Sequence, residues 1–166
     1  EMSYALWTNQ MKSPDDHLLL LKKTKLGNER QSFVNQSFNF DSAAGIIYTV
    51  DVTKPKGKKI TIISMANGSP FEEDKVYKVA LNSYRGNGGG ELLTKGAGIP
   101  SDELENRIIT STSKDLRYYL MNYIEEKKVL HPKALNRWKF IPEEWANPAA
   151  DRDYELLFKE KSPLFL

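Results

Sequence analysis

Cysteine is absent from the 166-residue chain, and several functional classes are excluded with it. Without a thiol, the protein has no disulfide scaffold, no cysteine-ligated zinc site and no cysteine nucleophile. Long apolar runs are absent as well, since the longest, residues 18–21, is far below the roughly 20 residues of a membrane-spanning helix. The 24 basic and 22 acidic side chains leave a net charge of only +2. This balance disfavours a protein that binds the backbone of a nucleic-acid polymer.

Histidine is scarce too, with only His17 and His131 in the chain. Residues 15–17 read Asp-Asp-His, which contains the Asp-x-His spacing used in binuclear metal sites. In such sites the motif ends an apolar strand and is joined by further histidine and asparagine ligands. Here a Ser-Pro turn precedes the motif and the other ligands are lacking. We therefore interpret it as structural, and we predict no metal site and no catalytic residue in this chain.

The remaining composition is that of a globular protein, with 40% hydrophobic and 28% charged residues. One core at this length removes roughly 68–70% of the unfolded surface from water, so we expect a single domain over residues 1–166. The helical pattern of residues 2–11 starts without an N-cap, and residues 162–166 end on apolar side chains. We expect the chain to be excised from a longer protein.

Strand-like segments dominate the first half of the chain. Residues 45–52 and 59–65 are rich in β-branched side chains and flank a Lys-Pro-Lys-Gly turn, which predicts an antiparallel hairpin. Residues 76–84 alternate in polarity and predict a third strand, so that the three strands form a meander. Further strands are predicted at residues 17–22, 137–141 and 154–158, and residues 22–37 are predicted to be irregular around a Gly27-Asn28 turn.

Residues 112–128 carry the clearest helical pattern, and Thr112 with Asp115 fits a capping box at its start. Apolar side chains recur there at helical spacing and predict one apolar face, formed by Leu116, Tyr119, Leu120, Tyr123 and Ile124. Together with the strands, this helix predicts an α+β fold of mostly antiparallel sheets flanked by helices.

The most unusual segment is the glycine-rich loop at residues 82–91, Asn-Ser-Tyr-Arg-Gly-Asn-Gly-Gly-Gly-Glu. It lacks the Gly-Lys-Ser/Thr ending of a phosphate-binding P-loop and is not the Gly-x-Gly-x-x-Gly pattern that opens a helix. Its glycines exceed what a turn needs and would let a ligand approach the backbone closely. A plain strand-to-loop turn is the alternative. Tyr84 and Arg85 lie at the start of this loop.

Two phenylalanines, Phe38 and Phe40, precede the strand predicted at residues 45–52. We interpret Phe38 as a core side chain. If Phe40 and Tyr84 faced each other across a cleft, their rings would clamp a flat ligand, most naturally a nucleobase. The local pattern leaves open whether the two rings meet. The lysine-rich residues 54–59 and 22–25 are interpreted as solvated turns and not as phosphate sites.

Four blocks, in this order and at this spacing, resemble the C-terminal domain of the 5′-nucleotidase family. They are residues 40–51, 54–58, 67–70 and 76–90, and the resemblance covers roughly residues 1–140. The Asn-Ser-Tyr-Arg sequence at residues 82–85 and the Phe-Asp pair at residues 40–41 look most like the bacterial 2′,3′-cyclic-nucleotide 2′-phosphodiesterase/3′-nucleotidase branch. The resemblance implies the layered α+β fold of that domain.

In this family an N-terminal metallophosphatase domain with two divalent metal ions performs the hydrolysis, and the C-terminal domain binds the nucleoside. The resemblance therefore implies a nucleotide substrate, an N-terminal domain of the same protein as partner, no cofactor within this chain, and no activity of this chain alone. It implies a periplasmic or cell-envelope location. The base would stack between two aromatics, and the nucleoside-binding residues implied are Phe40, Asp41, Tyr84, Arg85, Gly86, Asn87, Gly88, Gly89 and Gly90.

The chain departs from the family pattern at Gly90, where many relatives have an aspartate that contacts the nucleoside. A function of a different class also stays open, namely a free-standing module that binds RNA or another ligand through exposed aromatics. The small net charge and the lack of a continuous basic groove disfavour that alternative.

Overall fold

The structure, a computed structural model, describes residues 1–23 and 31–158. The chain divides into two compact units, one formed by Glu1–Glu73 together with the chain from Arg137 onward, the other by Asp74–Asn136. The turn predicted at Gly27-Asn28 and the apolar residues 162–166 lie outside the described residues. That residues 1–166 act as a single domain stays a prediction.

The described residues form four α-helices and five strands, joined by turns and short 3₁₀ and π segments. The helices are α1 (Met2–Trp7), α2 (Ser83–Gly86), α3 (Leu116–Lys127) and α4 (Glu143–Phe158). The strands are β1 (Leu21–Lys23), β2 (Gln31–Phe33), β3 (Ile46–Asp51), β4 (Ile60–Met65) and β5 (Trp138–Ile141). This combination confirms the predicted α+β class.

Strand β3 is the centre of the larger sheet, whose order is β4-β3-β5. Its pairing with β4 is antiparallel, so the hairpin predicted from the β-branched runs is confirmed, with an irregularity between Ile47 and Tyr48. On its other side β3 pairs with β5 in parallel, and Tyr48 lies opposite Trp138. The strand predicted at residues 137–141 is thereby confirmed, and its parallel pairing is the exception among the described strand pairs, which are otherwise antiparallel.

The strand predicted at residues 76–84 is wrong. Residues 76–82 join no sheet, and Tyr84 lies in the short helix α2. In a meander this segment would pair with the outer side of β4, whereas the third strand of the sheet is β5, which pairs with β3. Alternating polarity indicates an extended backbone, but the partner of a strand is set by the tertiary fold.

The strand predicted at residues 154–158 is also wrong, because these residues continue helix α4. The helix buries Ala146, Ala149 and Asp153, which lie three and four positions apart and so share one face. Burial of that face overrides the short apolar run on which the strand prediction depended.

Three element boundaries differ from the sequence prediction. Helix α1 ends at Trp7 instead of residue 11, because Thr8 is extended and forms an isolated antiparallel bridge with Leu19. Of the strand predicted at residues 17–22, only residues 21 and 22 belong to a strand, which is β1. Strand β1 pairs with β2, which lies within the segment 22–37 that was predicted to be irregular. None of the residues in these short strands is buried, and the strands carry no alternating apolar pattern. The capping box predicted to start at Thr112 is also wrong. Helix α3 begins at Leu116, and its N-cap is Asp115, whose side chain accepts the Tyr118 N–H.

The core of the first unit consists of two clusters. One joins Met11 and Leu18 to Val52 and to the alanines of α4. The other is aromatic and centres on Tyr4, Tyr48 and Val50, with partly buried side chains packed around them, namely Phe40, Ile46, Ile60, Ile62, Trp138 and Phe140. Together they fix α1 and α4 to the sheet.

The second unit, all of whose residues the structure describes, buries only Arg85 and Leu104. The apolar face predicted on α3 is present in the helix, but its side chains are 41–73% exposed. Helical spacing predicts that a helix forms, but it does not specify what covers the apolar face.

Among the described residues, no helix has both the length and the apolar character that crossing a membrane requires.

We predict that Met11→Ala lowers the free energy of unfolding by about 2–5 kcal/mol, because Met11 is 1% exposed and truncation leaves a cavity in the core. Met121→Ala is the matched control, since Met121 is 69% exposed and should change stability by less than about 0.5 kcal/mol. Urea unfolding followed by tryptophan fluorescence measures both effects. Equal midpoints for the two variants would contradict the assignment of Met11 to the core.

Candidate functional site

Phe40 lies at the edge of the aromatic cluster, directly after a 3₁₀ turn formed by Ser37–Asn39. Its ring contacts Tyr4 edge-on, with centroids 5.2 Å apart, and Trp7 in the same manner at 5.8 Å. Phe40 is partly exposed, whereas both partners on α1 are buried. The neighbouring elements therefore hold this ring in one orientation without covering it completely.

Phe38 does not belong to the core, so that prediction is wrong. Its side chain is 69% exposed. The 3₁₀ turn at Ser37–Asn39 interrupts the extended backbone, so the two-residue alternation that assigned Phe38 to the interior does not hold there. Of the two phenylalanines, Phe40 is the one that packs on the core.

The backbone after Phe40 is fixed by two hydroxyl groups. The N–H of Asp41 donates to Ser3 Oγ at 2.7 Å, and the N–H of Ala43 donates to the Tyr48 hydroxyl at 3.1 Å. The same Tyr48 hydroxyl hydrogen bonds to that of Tyr4 at 2.6 Å. Burial, together with the bond to Tyr48, raises the pKa of Tyr4 far above its usual value. Tyr4 therefore stays neutral at physiological pH.

Tyr84 and the loop that follows it belong to the second unit. Asn82 caps α2, because its side-chain oxygen accepts the Arg85 N–H at 2.8 Å. Arg85 is 5% exposed, donates from Nη1 to Gly89 O at 3.0 Å and lies 5.1 Å from the centre of the Tyr84 ring. The Tyr84 side chain is 49% exposed. The arginine thus ties the loop together beside a largely accessible aromatic ring.

Conformation explains why the loop contains so many glycines. Gly88 has a φ of +89° and Gly90 a φ of +70°, in the left-handed region that side chains disfavour. Gly89 is required for a different reason, because a Cβ there would lie 2.5 Å from the ring and the carbonyl oxygen of Tyr84. The loop therefore packs tightly against its own tyrosine.

The predicted site residues fall into two groups. Phe40 and Asp41 lie in the first unit, and Tyr84, Arg85, Gly86, Asn87, Gly88, Gly89 and Gly90 lie in the second. Within each group the structure brings the residues together through the contacts above. Stacking of a base between Phe40 and Tyr84 stays a prediction.

The Asp-Asp-His motif serves the first unit, in a way that the sequence did not reveal. His17 Nδ1 hydrogen bonds to Oδ1 of Asp153, a fully buried residue of α4, and Oδ2 of the same carboxylate accepts the Leu19 N–H at 2.7 Å. Asp16 accepts the backbone N–H groups of Lys12 and Ser13. No spacing signal connects Asp153 to His17, because 136 positions separate them.

Metal-ligating side chains are dispersed in the part of the chain that the structure describes. Within residues 1–23 and 31–158, no three histidine, aspartate or glutamate side chains group closely enough to hold a metal ion.

We predict that Gly89→Ala displaces the Tyr84 ring, since the added methyl group would overlap it. Gly86→Ala is the matched control, because a Cβ there meets no atom within 4 Å. The aromatic proton shifts of Tyr84, measured by NMR, should move in the first variant and stay near wild type in the second. Unchanged shifts in Gly89→Ala would contradict the close approach.

We also predict that Asp153→Ala lowers the free energy of unfolding by about 2–5 kcal/mol, because it removes two hydrogen bonds to a buried carboxylate. Asp151→Ala, on the same helix but exposed, should cost less than about 0.5 kcal/mol. Thermal unfolding of both variants tests the difference. A loss of the same size in both would show that the buried carboxylate does not hold the two segments together.

Comparison with known proteins gives consistent matches. Residues 15–95 match the family described as 5′-nucleotidase, C-terminal domain. The chain is 32% identical to the trifunctional nucleotide phosphoesterase protein YfkN of Bacillus subtilis, over 80% of this chain and 10% of that protein. It is 27% identical to the 2′,3′-cyclic-nucleotide 2′-phosphodiesterase/3′-nucleotidase of Salmonella typhimurium, over 84% of this chain and 23% of that protein.

The chain thus spans a tenth to about a quarter of the length of these two relatives. No solved structure matches it significantly. Both named relatives are nucleotide phosphoesterases, and one has the name of the branch that the residues at 40–41 and 82–85 indicate. Residues 15–95 thus correspond to the C-terminal domain of the 5′-nucleotidase family.

Proposed function

We propose that the chain is the nucleoside-recognition part of a metal-dependent nucleotide hydrolase that acts on 5′-nucleotides or 2′,3′-cyclic nucleotides. One observation supports it above the others. Both aromatics at the positions implied by the family, Phe40 and Tyr84, lie on anchored backbone and keep ring surface accessible. An anchored, accessible ring is what base stacking requires.

In this proposal the base stacks between Phe40 and Tyr84. That the two rings bind the same base is implied by the family resemblance. Stacking accepts any flat ring, so it would bind the nucleoside without strong selection of the base. Asp41 and the loop at residues 85–90 would contribute polar contacts to the nucleoside. In the loop, the close approach permitted by glycine would allow backbone N–H groups to reach the ligand.

The chemistry itself is assigned to an N-terminal metallophosphatase domain of the same protein. Two divalent metal ions held there would activate water for attack on the phosphate ester. The present chain contributes binding and orientation, which bring the ester to the metal centre in a reactive geometry. A periplasmic or cell-envelope location goes with this family assignment and stays a prediction.

We predict that Phe40→Ala and Tyr84→Ala each weaken adenosine binding about 5- to 150-fold, since stacking on one aromatic contributes about 1–3 kcal/mol per base. Tyr84→Phe should cost far less, because it retains the ring. The effects of the two alanine variants should not add, since both rings are proposed to hold the same base. NMR titration of the chain with adenosine measures the affinities, and kcat/KM of the full-length protein checks them in turnover.

Phe38→Ala is the control for these variants. Its ring is exposed, so the change should leave both stability and adenosine affinity near wild type. If Phe40→Ala and Tyr84→Ala both bind adenosine like the wild type, the stacking site is wrong. If Phe38→Ala weakens binding and Phe40→Ala does not, the neighbouring phenylalanine is the stacking residue.

A further inference from the structure

Two backbone N–H groups in the short segment after Phe40 form hydrogen bonds to buried side chains of the first unit. Asp41 donates its N–H to Ser3 Oγ and Ala43 donates to the Tyr48 hydroxyl, at 2.7 and 3.1 Å. Ser3 is 5% exposed and Tyr48 is 2% exposed, so both acceptors are shielded from water. Hydrogen bonds that water does not compete for hold a backbone more rigidly than exposed ones.

Helix α1 provides the other half of this support. Ser3, Tyr4 and Trp7 are the buried residues of the helix. Tyr4 and Trp7 contact the Phe40 ring edge-on, and Ser3 holds the peptide that follows it. One helix therefore fixes both the ring and the backbone of Phe40.

We propose that Ser3 is a positioning residue for nucleoside recognition, acting through its hydrogen bond to the Asp41 N–H, an inference that rests on the proposed stacking role of Phe40. The bond fixes the peptide between Phe40 and Asp41, and so it sets the plane in which the ring meets the base. A ring held before the ligand arrives loses less conformational entropy on binding than one that must be ordered.

Ser3→Ala tests this role, because it removes the acceptor and changes little else. We expect adenosine affinity to fall about 2- to 10-fold, which corresponds to the net contribution of one hydrogen bond. In the full-length protein the change should appear in KM and leave kcat near wild type, because the metal centre is untouched. Ser3→Cys has nearly the same shape, but its sulfur accepts weakly, so it should lie between serine and alanine.

Thr8→Val is the matched control on the same helix. Thr8 is 4% exposed, and its Oγ1 donates to the Tyr4 carbonyl at 2.8 Å, so this variant also loses a buried hydroxyl bond. Thr8 has no hydrogen bond to residues 40–43 among those that the structure describes. The two variants should lower the melting temperature to a similar extent, and only Ser3→Ala should weaken adenosine binding.

Combining Ser3→Ala with Phe40→Ala separates the possible failures. If Ser3 acts through Phe40, Ser3→Ala has no further effect on affinity once the ring is absent. If Phe40→Ala weakens binding but Ser3→Ala and Ser3→Cys bind like the wild type, this inference is overturned and the proposed function stands. If Phe40→Ala itself binds adenosine normally, the proposed stacking fails instead. Equal losses in Ser3→Ala and Thr8→Val would reduce Ser3 to a structural role.

Discussion

The hydroxyl groups of Tyr4 and Tyr48 meet at 2.6 Å inside the aromatic core, and the organisation of the first unit depends on this contact. Tyr4 belongs to α1 and Tyr48 to the central strand β3, so the bond joins the helix to the sheet. Leaving either hydroxyl unpaired at such burial would cost about 1–3 kcal/mol, which favours keeping the two elements together. The Ala43 N–H adds a third member, so the segment leading from Phe40 is attached to the same pair.

A buried carboxylate joins a second set of elements within the first unit. Asp153 on α4 is fully buried, and His17 and the Leu19 N–H satisfy its oxygens. Arg152, the residue before it, donates to the carbonyls of Pro14 and Asp16. A helix from the end of the described chain is thus fastened to a loop near its beginning. The Asp-Asp-His motif, whose spacing resembles that of metal sites, therefore helps to hold α4 in place.

The sequence was most informative where local pattern and fold agree. The β-branched runs of β3 and β4 lie on either side of a turn, so the hairpin required no information from distant residues. Helix α3 was likewise recognisable from spacing, although its apolar side chains remain exposed. Family blocks located both halves of the candidate site, because they depend on order and spacing and not on secondary structure.

Two of the failures, at residues 76–82 and at Asp153, share one physical origin, which is that distant partners decide local outcomes. Residues 76–82 have a strand pattern but join no sheet, and the third strand of the sheet is β5, which pairs with β3. Phe38 was expected in the core and is exposed, because the 3₁₀ turn at Ser37–Asn39 interrupts the extended backbone. Asp153 could not be identified, because a single aspartate on a helix gives no indication of a histidine 136 positions away.

The pairing of β3 with β5 also determines the order in which the sheet can be completed. Its two strands are Ile46–Asp51 and Trp138–Ile141, so all of Asp74–Asn136 lies within the connection between them. During synthesis the β3–β4 hairpin can form early, whereas β5 is added only once the ribosome has passed the second unit. Closing so long a connection is slow, although its entropic cost grows only logarithmically with length. Until then one side of β3 presents an unpaired strand edge, so the nascent sheet is most exposed to aggregation just before β5 is synthesised.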